Sequence, residues 1–150
     1  MSATKRSDSR KEEIIIILTE SLSEVLAKYP VISAYLFGSY ARGNTHPGSD
    51  IDIAIYIKPV SKLSLNEELT VGREVEAKSG LKPIDLRIMN DMPITMQGEI
   101  LTRGILLYSA DDKERVIYET KTLALYFDYL PHIERFRKEF LKSVEERGIL

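Results

Sequence analysis

Apolar residues recur at helical spacing from Lys11 to Tyr29: Ile14, Ile17, Leu18, Leu22, Val25, Leu26 and Tyr29 fall three or four positions apart. Pro30 ends that helix. Residues 1–10 (MSATKRSDSR) are polar, lack this periodicity and read as a flexible tail. Val31–Phe37 (VISAYLF) is a short apolar run of strand type. Gly38 to Ser49 carries Gly38, Gly43, Asn44, Pro47 and Gly48, which predicts a loop with room for one helical turn. Asp50–Ile57 (DIDIAIYI) alternates as a strand, with Ile51, Ile53, Ile55 and Ile57 on one face and Asp50, Asp52, Ala54 and Tyr56 on the other.

The second half reads with equal clarity. Ser64 and Glu67 form the S-x-x-E pattern of a capping box, opening a helix to about Ser79, which Gly80 ends. Pro83–Met89 (PIDLRIM) predicts a third strand. Pro93 and Gly104 bracket a short helix, and Ile105–Tyr108 a fourth strand. After Asp111 the pattern is helical, with Pro131 splitting it into segments near 112–130 and 131–147. Leu123, Phe127, Phe136 and Phe140 are expected for the most part to pack on the sheet, a partner or self-association surface being the other reading. The five aliphatics from Ile14 to Leu18 cover more than one helical face. The prediction is an α+β fold, one domain over residues 11–150 with a helical C-terminal tail at about 112–147.

Composition narrows the function classes. The 150 residues are enough to bury a core without staples. Lys and Arg number 21 against 23 Asp and Glu, a balance unlike that of a dedicated nucleic-acid binder. There is no cysteine, which excludes disulfides, thiolate metal sites and a cysteine nucleophile. The longest aliphatic run, Ile14 to Leu18, is far shorter than a membrane span and also short for a signal-peptide core. A soluble cytoplasmic domain is expected.

Candidate chemistry gathers in three places. Asp50 and Asp52, two apart on a strand, present their carboxylates to the same side, where they can share a hard cation such as Mg²⁺. Asp85 lies between Ile84 and Leu86 in a later strand; if that strand pairs beside the first, a third carboxylate joins. Clustered carboxylates repel, and a divalent ion compensates them. The bland readings are a solvent-facing acid pair and an Asp85 paired with Arg87 or Arg73. Gly38-Ser39 follows an apolar strand, where glycine permits close ligand approach and the Ser39 hydroxyl and neighbouring N–H groups can bind phosphate. Arg42 can reach the same phosphates; a simple turn is the alternative. His46 reads as a loop histidine, and neither it nor His132 has the context of a hydrolase triad.

Gly38-Ser39, ten residues and then Asp50-x-Asp52 resembles the signature of the polymerase-beta-like nucleotidyltransferase superfamily. The stretch GSYARGNTHPGSDIDIAIY is similar to its minimal nucleotidyltransferase (MNT) group, PIDLRIM to the strand of the third carboxylate, and EILTRGILLY to the region beyond it. The tail YFDYLPHIERF resembles the C-terminal helices of MntA-type antitoxins. The resemblance implies a small mixed sheet flanked by helices, with Asp50, Asp52 and Asp85 as catalytic residues holding two Mg²⁺ ions. Gly38, Ser39 and Arg42 would bind the nucleotide. It implies transfer of AMP from ATP to a tyrosine hydroxyl of a HEPN-domain ribonuclease toxin of HepT type, which also binds the antitoxin. No membrane and no direct nucleic-acid contact are expected. Two rival classes remain: a nucleotidyltransferase for small molecules such as antibiotics, and a steric antitoxin that acts by complex formation alone.

Overall fold

The computed structural model describes residues 3–43 and 49–148. Its order is α1 (Ala3–Val25), a 3-10 turn (Leu26–Lys28), β1 (Val31–Phe37), α2 (Gly38–Arg42), β2 (Ile51–Ile57), α3 (Leu65–Ser79), β3 (Ile84–Ile88), α4 (Ile94–Arg103), β4 (Ile105–Ser109) and α5 (Asp112–Glu146). The sheet order is β3-β2-β1-β4. β1 runs antiparallel to β2 and β4, while β2 and β3 are parallel, so the sheet is mixed.

The alternation in β2 sorts two cores. Ile51, Ile53, Ile55 and Ile57 pack with Leu18, Leu22, Val71 and Val75, so α1 and α3 cover that face. Ala54 and Tyr56 turn the other way and pack with Tyr35, Met89 and Ile100, under α4 and the start of α5. Tyr56 stacks on Tyr118 of α5 with ring centroids 3.7 Å apart. Asp52 shares the parity of Ala54 and Tyr56 and therefore opens onto the α4 side.

The ends of the elements follow their local chemistry. Ser64 accepts from the Glu67 N–H and Glu67 accepts from the Ser64 N–H, completing the capping box. Gly80 closes α3 at φ 74°. Two carboxylates of α3 then cap the exposed edge of β3: Glu76 accepts from the Ile84 N–H at 3.2 Å and Glu68 from the Ile88 N–H at 2.8 Å. These bonds satisfy donors that an edge strand would otherwise offer to another chain, and they hold β3 beside β2.

Three expectations need correction. α1 begins at Ala3, inside the stretch 1–10 read as a tail. Extending an existing helix is cheap compared with nucleating one, and polar residues such as Lys and Arg are good helix formers; no apolar stripe is needed. Lys11 also anchors the region through an Nζ hydrogen bond to the Ala41 carbonyl at 3.0 Å. Pro131 does not split the last helix, which is one element of 35 residues. Proline removes a single bond to the carbonyl four residues back, and Phe127, which carries that carbonyl, is exposed to water. Finally, Phe127, Phe136 and Phe140 do not pack on the sheet: they are 55%, 72% and 58% exposed. Among the described residues of α5 only Thr122 and Tyr126 are buried.

Candidate active site

β1, α2 and the paired starts of β2 and β3 build the site. Phe37, the last residue of β1, is the register partner of Asp52. Across the parallel pair, Asp52 is in turn the partner of Asp85. The two aspartates therefore sit side by side on neighbouring strands, whose backbones run about 4.8 Å apart, with their side chains on one face. Asp50 lies just before β2 and is exposed.

Gly38 lies against this pair. Its φ is 71°, and a Cβ built there would overlap the Asp52 carboxylate at Oδ2. Only glycine meets both demands. It starts α2, so Ser39 and Arg42 follow within about one helical turn, and Arg42 is near enough to act on the Asp52 carboxylate. The helical turn is compatible with the expected loop of 38–49; Asn44, Pro47, Gly48 and the candidate His46 lie outside the described residues. His132 is far along α5, exposed, beside Tyr129, Ile133 and Phe136.

Electrostatics mark Asp52 as the strained member. Burial, then the like charges of Asp85 and Asp50, raise its pKa above the ordinary aspartate value, while Arg87 and Arg42 pull it down. From the sequence, Arg87 reads only as a structural partner for Asp85. It does make that pair, Nη2 to Oδ2 at 3.0 Å and Nε to Oδ1 at 3.3 Å, yet it is also a site residue because it faces Asp52. The signal for this was strand periodicity: Arg87 is two residues from Asp85 and so shares its face. Arg73 is not the partner. Among the described residues no three acidic or histidine side chains form a ready-made metal cluster; the Asp85 carboxylate is held by Arg87 instead.

A mixed four-stranded sheet with helices on both faces, and an acid pair set against a glycine-opened turn, is the architecture of a nucleotidyl-transferring domain. Residues 20–113 match the family model described as Polymerase beta, Nucleotidyltransferase, and the chain belongs to that family. Over 110 residues it is 26% identical to the protein adenylyltransferase MntA of Shewanella oneidensis, covering 73% of each chain. A shorter stretch of 56 residues is 48% identical to a Methanocaldococcus jannaschii protein that carries the provisional name of a protein adenylyltransferase. That alignment covers 37% of this chain and 57% of the relative, little more than half its length. Among solved structures, a chain of a toxin–antitoxin crystal structure with AMP-PNP superposes with a TM-score of 0.63 at 19% identity, covering 85% of this chain and 98% of that one. A chain from a complex of tri-AMPylated Shewanella oneidensis HEPN toxin with MNT antitoxin gives 0.62 at 18%, covering 87% and 98%. At such identities these structures establish the shared fold. Among the described residues no helix is long and apolar enough to cross a membrane.

Proposed function

We propose that the protein is an antitoxin that transfers AMP from ATP to a tyrosine hydroxyl of a HEPN-family ribonuclease toxin. The observation that carries this reading is the register pairing of Asp52 with Asp85, facing Gly38. Nucleotidyl transfer needs carboxylates clustered beside a phosphate-holding turn, and the arrangement offers no histidine or cysteine nucleophile among the described residues. The named relative, MntA, supports protein as the acceptor.

The donor set suits a divalent cation. Asp50, Asp52 and Asp85 are all-oxygen ligands of the kind Mg²⁺ prefers, and burial, then the like charges of Asp85 and Asp50, raise the pKa of Asp52, a strain that a bound cation would relieve. With Asp85 released from Arg87, these three would hold Mg²⁺, two ions in the family's manner, which would neutralise charge on the phosphates. Ser39 and Arg42 bind the polyphosphate. The tyrosine oxygen attacks the α-phosphorus, its bond to the oxygen bridging to the β-phosphate breaks, and pyrophosphate leaves with the electron pair. Asp85 takes the tyrosine proton, which lowers the barrier set by a phenol of ordinary pKa about 10. Most of the rate gain comes from positioning and charge complementarity.

The test is incubation of the full-length protein with the product of the neighbouring gene, ATP and Mg²⁺, followed by intact mass. A gain on the partner equal to one or more AMP units is expected. An unmodified partner held in a stable complex would replace this reading with the steric one; AMP found only on an added antibiotic would replace it with the small-molecule one.

A further inference from the structure

The sequence stretch EILTRGILLY includes two residues, Arg103 and Gly104, to which the proposed chemistry gives no role. α4 is pinned in place by glycines at both ends of this region. A Cβ on Gly98 would strike the ring of Tyr126, and one on Gly104 would come within 2.8 Å of the Leu36 carbonyl oxygen. The helix thus presses on α5 at one point and on the last residues of β1 at the other. That second contact brings Arg103 to the mouth of the site.

A cavity of about 220 Å³ opens there, lined by Gly38, Arg42, Met96, Glu99, Ile100 and Arg103. The cavity is lined by Gly38, the residue that also lies against the Asp52 carboxylate, so Arg103 stands across the cavity from the acid pair's own neighbour. Its floor is apolar, which strengthens charge interactions at the rim. Arg42 and Arg103 reach it from different helices, and among the described residues neither is held in an ion pair. Glu99 is the one acidic group of the lining, so the cavity is net positive. A groove between α4 and α5 is lined by Glu99 and Arg103 as well, and there Glu134 and Arg137 join them.

We propose that Arg103, together with Arg42, forms the binding site for the β- and γ-phosphates of the nucleoside triphosphate and holds the pyrophosphate as it leaves. Guanidinium groups suit this task because they pair bidentately with phosphate oxygens and keep their charge. When the bond between the α-phosphorus and the bridging oxygen breaks, the electron pair stays on the pyrophosphate, and Arg103 meets that added negative charge. This assignment rests on the nucleotidyl-transfer reading above, and its test separates the two.

The experiment measures Kd for ATP and for AMP, with Mg²⁺ present, in the full-length protein and in Arg103→Gln, using competition against labelled ATP. Loss of a charge-assisted phosphate contact is expected to weaken ATP about tenfold or more while AMP, which lacks the β- and γ-phosphates, is unchanged; Arg103→Lys recovers part of the loss. Equal ATP affinity in wild type and Arg103→Gln overturns the assignment. So does a parallel loss for ATP and AMP, which marks Arg103 as merely supporting the end of α4. A wild-type protein that binds no ATP overturns instead the nucleotidyl-transfer reading itself.

Discussion

Asp52 carries a cost in the folded state that its removal should reveal. Carboxylates on register-paired residues lie roughly 5–6 Å apart given strand spacing. Two like charges at that distance repel by about 3 kcal/mol at an effective dielectric of about 20, and by less than about 1 kcal/mol in water. Asp52 is partly exposed and Arg87 and Arg42 offset the repulsion, so screening brings the net effect to about 1 kcal/mol. Asp52→Asn keeps the shape of the side chain and removes the charge. In metal-free buffer at neutral pH it should raise Tm by about 2–4 °C, the shift that about 1 kcal/mol gives a chain of this size, while abolishing AMP transfer. Such a trade of stability for activity is common at active sites. The pH dependence gives a second readout. The folded-state pKa of Asp52 lies above its unfolded value of 3.8. The proton is therefore favoured by folding: the fold is unburdened below the unfolded value, and stability is lost as pH rises through the raised one. The Tm gap between variant and wild type should be full at neutral pH and close as the pH falls toward about 4. Thermal melts across pH decide the matter. A variant that melts at or below wild type at neutral pH, or a gap that does not close in acid, refutes the reasoning.

Other perturbations probe separate parts of the account. Gly38→Ala forces a side chain into left-handed backbone and onto the Asp52 carboxylate; it should cost about 1–2 kcal/mol of stability and lower kcat about a hundredfold through displacement of that acid, read by melts and label transfer. Ser64→Ala removes the capping-box acceptor of α3 and should cost about 1 kcal/mol with kcat unchanged. Tyr29 donates its O–H to Glu74 at 2.6 Å, and this bond, then burial, pushes its pKa up to about 12. Its contribution is present below pH about 10 and lost as pH rises from there through about 12, so wild type should lose more denaturant resistance than Tyr29→Phe across that window.

What could be read from the sequence was whatever local rules decide. Strict alternation in DIDIAIYI sorted the isoleucines and the acids onto opposite faces before any sheet was seen, because a strand's period is two. The S-x-x-E box and Gly80 placed both ends of α3, since caps depend on near neighbours alone. The fold-defining pairing of β2 with β3 is not legible locally, because register between distant strands is set by long-range packing. Arg87 was visible as a neighbour of Asp85, but its approach to Asp52 needed that register. α5 shows the limit from the other side. Apolar spacing at Phe127, Phe136 and Phe140 says that a face exists, and only the placement of α4 and β1 decides which part of it is covered; burial stops at Tyr126. At Pro131 and over residues 3–10 the local signal misleads, because a local preference costs little against a helix already formed on either side or beyond.

The most direct test of the central claim follows the phosphorus atom. The protein is incubated with the proposed HEPN-type partner, Mg²⁺ and ATP labelled in parallel at the α- or the γ-phosphate, and wild type is compared with Asp50→Asn and Asp85→Asn variants of intact fold. The expected result is α-label on a partner tyrosine, γ-label released in pyrophosphate, and no transfer by either variant. Full transfer by either variant, or γ-label retained on the partner, would contradict it.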